Sequence, residues 1–211
     1  MSHQPDLAIV RVPGYKVGMT LYELLLFIHV AATIVWIGAG LFSLVLALGY
    51  DKDSDEAALL RFAKDQERLA PRLFIPASLV VVLMGIALVI ESDAWGFDQL
   101  WIVLGLVGFA ATFVTGLFML KPASERLGRD MEAAGGRLTS QLRVDLRKLI
   151  VKARVDYVVL TLVVFDMVVK PTGDDPAVLI AMAVVLIAGI AYILARLRAI
   201  EAEAAGAPAP A

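Results

Sequence analysis

The chain contains no cysteine, and only two of its 211 residues, His3 and His29, are histidines. The absence of cysteine excludes disulfide bonds and thiolate metal sites, and it says little about the compartment. Two histidines leave few imidazole ligands for a metal ion or a haem. The sequence also lacks a glycine-rich phosphate loop, a nucleophile elbow and an HExxH zinc motif. These absences favour a non-enzymatic protein.

Charge is scarce as well, since charged residues make up 19% of the chain and hydrophobic residues 60%. The mean hydropathy is +0.80. A soluble domain is only about 45–50% apolar, and several runs here approach the roughly 20 apolar residues that a membrane-spanning helix needs. The composition therefore predicts an integral membrane protein.

The pattern of apolar runs predicts an all-α, polytopic transmembrane helical bundle in one domain, residues 20–198. An N-terminal tail (1–19) precedes it, and a disordered tail (199–211) follows. The fourth span is the weakest, because its apolar core of 15 residues contains two aspartates and needs shielding by neighbouring helices. A four-span bundle is therefore the alternative. The five predicted spans are residues 21–49, 73–91, 100–120, 150–170 and 177–197.

Positive charge is concentrated in two connections, residues 51–72 with five lysines and arginines and residues 121–154 with nine. With five spans, 16 of the 19 basic residues lie on one side of the membrane, and the positive-inside rule places the N-terminus outside and the C-terminus inside. With four spans, 15 basic residues lie on one side of the membrane and 4 on the other. The count of basic residues therefore hardly separates the five-span from the four-span topology. Both connections are predicted to be cytoplasmic amphipathic helices. We expect the basic one to meet anionic lipid headgroups of the bilayer rather than nucleic acid.

The first span carries a stripe of polar, aromatic and small residues. His29, Thr33, Trp36 and Gly40 follow one another at helical spacing and fall near one face. An ionisable residue inside the membrane is a functional hypothesis by default. His29 can pack against or bridge to another helix, ligate haem or another redox cofactor, relay protons, or bind copper.

Asp166 is the second candidate in the apolar segments. It precedes Lys170 by four residues, and such a pair on a helix can neutralise the carboxylate. The alternative is a contact between Asp166 and His29 across helices. The first alternative neutralises Asp166 near the outer surface, and the second pairs it with another helix.

Small residues recur every four positions in the third span, at Gly108, Thr112 and Gly116. A face of small side chains lets another helix approach closely. We therefore expect helix packing at these positions and at Gly40. A second copy of the chain or a membrane partner subunit are candidate partners of the bundle.

Two motifs resemble a known superfamily of bacterial membrane proteins. The run HVAATIVWIGAG (His29–Gly40) resembles the first-helix pattern of a superfamily that includes the copper-resistance D domain and the bacterial membrane-bound protoporphyrinogen oxidase. The run VVFDMVVKPTG (Val163–Gly173) is similar to the end of the fourth helix in an uncharacterised family of predicted integral membrane proteins within it. The resemblance covers about residues 20–195 and implies a bacterial inner membrane location. It also implies haem b or copper as candidate ligands.

Two classes of function remain open from the sequence. The first is a non-enzymatic membrane component, either a partner subunit or a permease-like bundle. The second is a haem-binding or redox membrane protein with His29 as axial ligand. Copper or proton transport is a further alternative, and the cofactor is otherwise unknown.

Overall fold

The computed structural model describes residues 18–53 and 56–206, and within these ranges it contains helices and no strands. The all-α prediction is thus confirmed. Two π-helical turns, Ala70–Phe74 and Gly116–Leu120, join α2 to α3 and α4 to α5. The α-helices are α1 (Leu21–Asp53), α2 (Glu56–Leu69), α3 (Ile75–Glu91), α4 (Leu100–Thr115), α5 (Lys121–Ala133), α6 (Ser140–Val169) and α7 (Pro176–Ala204).

Four helical stretches are long and apolar enough to cross a membrane: Leu21–Gly49, Lys64–Glu91, Leu100–Ala133 and Pro176–Ala204. They include four of the five predicted spans. The remaining one lies in α6, which is too polar to qualify, because two aspartates interrupt its apolar half and its first half is basic.

α6 lies at the centre of the bundle, in contact with α1, α4, α5 and α7. Gly108 of α4 faces Val163 of α6, and Gly189 of α7 faces Val158 on another side of the same helix. Glycine has no Cβ, so the backbones can approach closely at both places. The neighbouring helices thereby shield the polar residues of α6.

One end of the bundle is closed by α2, α5 and the first half of α6, and we call it the α2–α5 end. An apolar cluster there includes Ala47, Leu127, Met131, Leu142 and Leu146. Met131 is only 1% exposed. In the basic connection, α6 begins at Ser140 and continues without interruption into the fourth apolar segment. The amphipathic connections therefore pack against the bundle.

Proline and glycine residues interrupt the two connections at only some of the positions where they occur. Pro71 does not end the helical path, because the chain continues through the π-helical turn Ala70–Phe74. Proline lacks the N–H that a regular helix uses, and a wider turn accommodates this loss. Gly128 lies inside α5. The turn after α5 is made by Gly135 and Gly136, whose φ angles of 68° and 76° suit glycine.

The predicted disordered tail is wrong for residues 199–204, because α7 continues to Ala204. Ile200 is buried in a cluster with Val151 and Ile193. Lys148 Nζ lies 3.0 Å from Glu201 Oε1, which ties the end of α7 to α6. Residues 207–211 and most of the predicted N-terminal tail lie outside the described residues.

The N-termini of α1 and α7 differ in whether a side chain caps them. The Thr20 amide donates to Glu23 Oε2 at 2.8 Å, and the Glu23 amide donates to Thr20 Oγ1 at 3.2 Å. Glu23 is therefore a capping residue, and the Thr-x-x-Glu spacing is that of a capping box. Asp175 precedes α7 but does not cap it with its side chain. Hydrogen bonds from the Thr172 amide and hydroxyl instead hold the pKa of Asp175 below its usual range.

Close packing at Gly189 leads to a first prediction. In Gly189→Ala the new Cβ would lie 2.9 Å from Val158 Cγ1 and 3.1 Å from Cγ2. Overpacking against this stiff side chain should cost about 1–3 kcal/mol, more than the gain in helix propensity of up to about 1 kcal/mol. We therefore expect a lower unfolding temperature in detergent.

Gly38→Ala is the matched control, since its Cβ would meet nothing within 4 Å. Removing a helical glycine there should raise stability by about 0.5–1 kcal/mol. Equal shifts in the two variants would contradict the packing of α7 on α6.

Candidate functional site

A cavity of about 300 Å³ lies between α1, α4 and α6 and extends to the α2–α5 end. This volume is at the lower limit of the roughly 300–1,000 Å³ that is usual for small-molecule sites. Most of its wall is apolar, and five aromatic side chains contribute to it: Trp36, Phe62, Phe74, Phe113 and Tyr157.

Both π-helical turns line this cavity. Ala70 and Phe74 come from the first turn, and Gly116 and Leu120 from the second. The Lys121 amide donates to the Gly116 carbonyl, five residues back, which is the bond that defines a π-helix. π-Helical turns inside helices are frequent at functional sites, and here two of them meet at one cavity.

The predicted packing face of α4 contacts α6 at Gly108 and borders the cavity at Thr112 and Gly116. Gly108 packs against Val163, and Thr112 is 4% exposed, with its hydroxyl donating to the Phe109 carbonyl. The packing prediction is wrong for Gly116, because no heavy atom lies within 4 Å of the position that its Cβ would take. The helix widens there and leaves space in front of this glycine.

Two polar groups in the cavity wall have unused hydrogen-bonding capacity. Thr115 Oγ1 donates to Asp156 Oδ1 at 2.5 Å, whereas Asp156 Oδ2 has no partner among the residues that the structure describes. The hydroxyl of Tyr157 likewise has no hydrogen bond within the described residues. It lies against Gly40, whose Cβ position is 2.9 Å from Tyr157 Oη. A carboxylate oxygen and a phenol are thus available to a molecule in the cavity.

The sequence pattern predicts neither Asp156 nor Tyr157 as a site residue. Asp156 is one of the two aspartates that weaken the fourth predicted span. The usable signal was Asp156 itself, because an ionisable residue in an apolar segment is a functional candidate.

His29 connects α1 to α3. Its Nδ1 lies 2.8 Å from the Val81 carbonyl oxygen, so Nδ1 donates and Nε2 keeps its lone pair. Gly85 gives the ring room, since its Cβ position is 3.2 Å from His29 Cε1. Thr33 Oγ1 donates to the His29 carbonyl. The geometry matches the bridging alternative and leaves one ring nitrogen unused.

Trp36 lies farther along the same stripe and belongs to the cavity wall. Its ring centroid is 5.7 Å from that of Phe109 on α4, with the rings tilted by 59°. Gly40 follows on this stripe against Tyr157. The stripe of α1 therefore faces other helices, and only its later part borders the cavity.

Asp166 is 1% exposed, and neither carboxylate oxygen has a hydrogen-bond partner among the described residues. Its Oδ2 lies 3.7 Å from the Cβ position of Gly105 on α4. The predicted hydrogen-bonded contact with His29 is not made, because His29 bonds to Val81. The structure thus buries this carboxyl group without a partner.

The predicted neutralising pair between Asp166 and Lys170 is also wrong. α6 ends at Val169, and Lys170 has a left-handed conformation with φ of 52°, so its side chain leaves the helical register. Its ammonium lies 4.1 Å from the Trp95 ring centroid and 5.1 Å from that of Trp101. Lys170 therefore makes cation–π contacts with Trp95 in the α3–α4 connection and with Trp101 in the first turn of α4.

The described residues contain no group of three or more histidine, aspartate or glutamate side chains that could hold a metal ion. His29 is the one candidate ligand of haem from the sequence that lies in the described part of the chain, since His3 lies outside it. A haem with two histidine ligands would need a second imidazole.

An all-helical bundle with four membrane-length apolar helices defines a multi-pass integral membrane protein. A family model described as "Predicted integral membrane protein (DUF2269)" matches residues 23–171, and the chain belongs to this family. The match begins near the start of α1 and ends just after α6. No curated protein and no solved structure matches the chain.

The unpartnered state of Asp166 leads to a second prediction. Asp166→Asn should not lower the unfolding temperature, because it removes a buried carboxyl group without breaking a hydrogen bond. Thr115→Val is the contrasting variant, since it removes the donor to Asp156. We expect it to cost about 1–3 kcal/mol. A loss in Asp166→Asn as large as that in Thr115→Val would reveal a partner of Asp166.

Proposed function

We propose that the chain is a non-enzymatic, permease-like membrane bundle that binds a small, mostly apolar molecule in the cavity between α1, α4 and α6. The observation that carries this proposal is the cavity itself. Its wall is largely apolar and aromatic, and it includes Asp156 Oδ2 and the Tyr157 hydroxyl as unused polar groups. Apolar walls with a few polar groups are typical of small-molecule sites.

We further infer that α6 crosses the membrane, which gives five spans. α4 and α6 run antiparallel, since Thr115 bonds to Asp156 while Gly105, ten residues earlier, faces Met167. A helix that lies alongside a membrane-spanning helix over such a length occupies the same depth of the bilayer. Shielding by α1, α4 and α7 supports this assignment despite the aspartates.

With five spans, the distribution of basic residues favours an outside N-terminus and an inside C-terminus. The α2–α5 end then faces the cytoplasm, and the cavity, whose wall includes Gln66, Lys121 and Ser124, extends toward that side. The resemblance of the His29–Gly40 motif to bacterial proteins supports a bacterial inner membrane as the location.

Because the chain contains no cysteine, a single introduced cysteine can be labelled specifically to test access to the cavity. Ser43 lines the cavity on α1, whereas Val45 on the same helix is 65% exposed on the outer surface of the bundle. We expect Ser43→Cys to react with a membrane-impermeant methanethiosulfonate reagent added from the cytoplasmic side of oriented vesicles. Val45→Cys should stay unreacted, because a thiol in lipid does not ionise to the reactive thiolate.

Two results would contradict these proposals. If Ser43→Cys reacts from neither side, the cavity is not accessible to water-soluble molecules and the permease-like function fails. If Ser43→Cys reacts only from the outer side, the proposed orientation is reversed.

The redox alternative rests on His29, whose Nε2 keeps a lone pair that can ligate iron or copper. The motif resemblance to the copper-resistance D and protoporphyrinogen oxidase superfamily supports the same alternative. It predicts a Soret band in the purified protein that His29→Ala abolishes. We expect instead a colourless protein in which His29→Ala lowers the unfolding temperature, because the hydrogen bond that joins α1 to the Val81 carbonyl of α3 is lost.

A further inference from the structure

We propose that the cavity selects a cationic ligand, namely an ammonium group on a small apolar body, and that Asp156 is its counter-ion. This inference rests on the proposed ligand-binding function and names the class of molecule bound. It depends on the balance of charge in the wall, on the aromatic surfaces around the carboxylate and on the cavity volume.

The charge balance in the wall is set by Asp156 and Lys121, which are the acidic and the basic residue among its described lining residues. Lys121 Nζ lies 3.7 Å from Glu125 Oε1, so its charge has a partner within the protein. Among the described residues, the hydrogen-bond partner of the Asp156 carboxylate is the neutral hydroxyl of Thr115. A charge in an apolar region is costly unless an opposite charge accompanies it. The Asp156 carboxylate therefore lacks a counter-ion among the described lining residues, and a bound cation would supply one.

The aromatic surfaces favour the same charge. Trp36, Phe113 and Tyr157 line the cavity together with Asp156. The faces of aromatic rings attract cations, with the strongest attraction at tryptophan. The Tyr157 hydroxyl can also accept a hydrogen bond from an ammonium N–H. A carboxylate beside several rings is the combination that recognises organic ammonium groups.

The volume limits the size of the ligand. About 300 Å³ accommodates a compact amine with one ring or a short chain. A complete phospholipid is larger than this space. An anionic amphiphile with its head at Lys121 is the competing occupant, and the charge of the ligand distinguishes the two.

The first experiment measures charge selectivity at the Ser43→Cys thiol. We compare its reaction rates with a trimethylammonium and a sulfonate methanethiosulfonate reagent, each relative to the exposed reference variant Ala204→Cys. We expect the cationic reagent to be favoured, and Asp156→Asn to reduce this preference about tenfold, as expected for one charge at close range in a protein environment. Asp166→Asn, on the same helix but outside the cavity wall, should leave the preference unchanged. An unchanged preference in Asp156→Asn would overturn the inference.

The second experiment measures protection of the same thiol from the neutral reagent methyl methanethiosulfonate. Benzyltrimethylammonium should protect it, and protection should be lost in Asp156→Asn. Neopentylbenzene, which has the same shape without charge, should protect less. Equal protection by both molecules would overturn the cation inference and leave the cavity function intact.

The remaining outcomes are also decisive. Stronger protection by benzylsulfonate, lost in Lys121→Gln, would assign an anionic ligand and overturn the proposal. A Ser43→Cys thiol that reacts with no reagent would instead contradict the cavity function itself. The failure of each proposal is thus recognised separately.

Discussion

The structure depends on burying α6, a helix with two aspartates in its apolar half, among apolar helices. Charged and polar groups in hydrocarbon are costly, so such a helix is stable only where neighbours shield it. Gly108 and Gly189 permit this by bringing α4 and α7 close to α6 on different sides. The two aspartates then have different surroundings. Asp156 borders the cavity and accepts a hydrogen bond from a hydroxyl, whereas Asp166 is buried with no hydrogen-bond partner in the described part of the chain.

The backbone departs from α geometry at two places, and both of them line the cavity. The π-helical turns Ala70–Phe74 and Gly116–Leu120 widen the backbone where α3 and α4 meet the amphipathic helices α2 and α5. Gly116 adds no side chain to the space in front of it. The wall of this cavity is rich in aromatic side chains and includes Asp156 and Tyr157. The charge balance of the wall is the basis for the proposed cationic ligand.

Local and periodic features of the chain were predictable. The Thr20–Glu23 cap and the continuous helix from the basic connection into the fourth apolar segment follow from neighbouring residues alone. The contacts of Lys170 were not predictable, because α6 ends one residue before it. Its ammonium contacts Trp95 and Trp101, which lie far from it in the sequence. Asp156 was visible in the sequence, but its hydroxyl partner Thr115 is 41 residues away.

By itself the sequence determined the class of the protein, its helical segments and the stripe of His29, Trp36 and Gly40. Composition and periodicity carry that information, because a helix in lipid must satisfy its own backbone hydrogen bonds and expose apolar side chains. Only the tertiary structure decided what each polar side chain meets. His29 bonds to the Val81 carbonyl, and Asp156 lines a cavity. Asp166 has no hydrogen-bond partner among the described residues. These outcomes depend on contacts between helices that are distant in sequence, which no local pattern encodes.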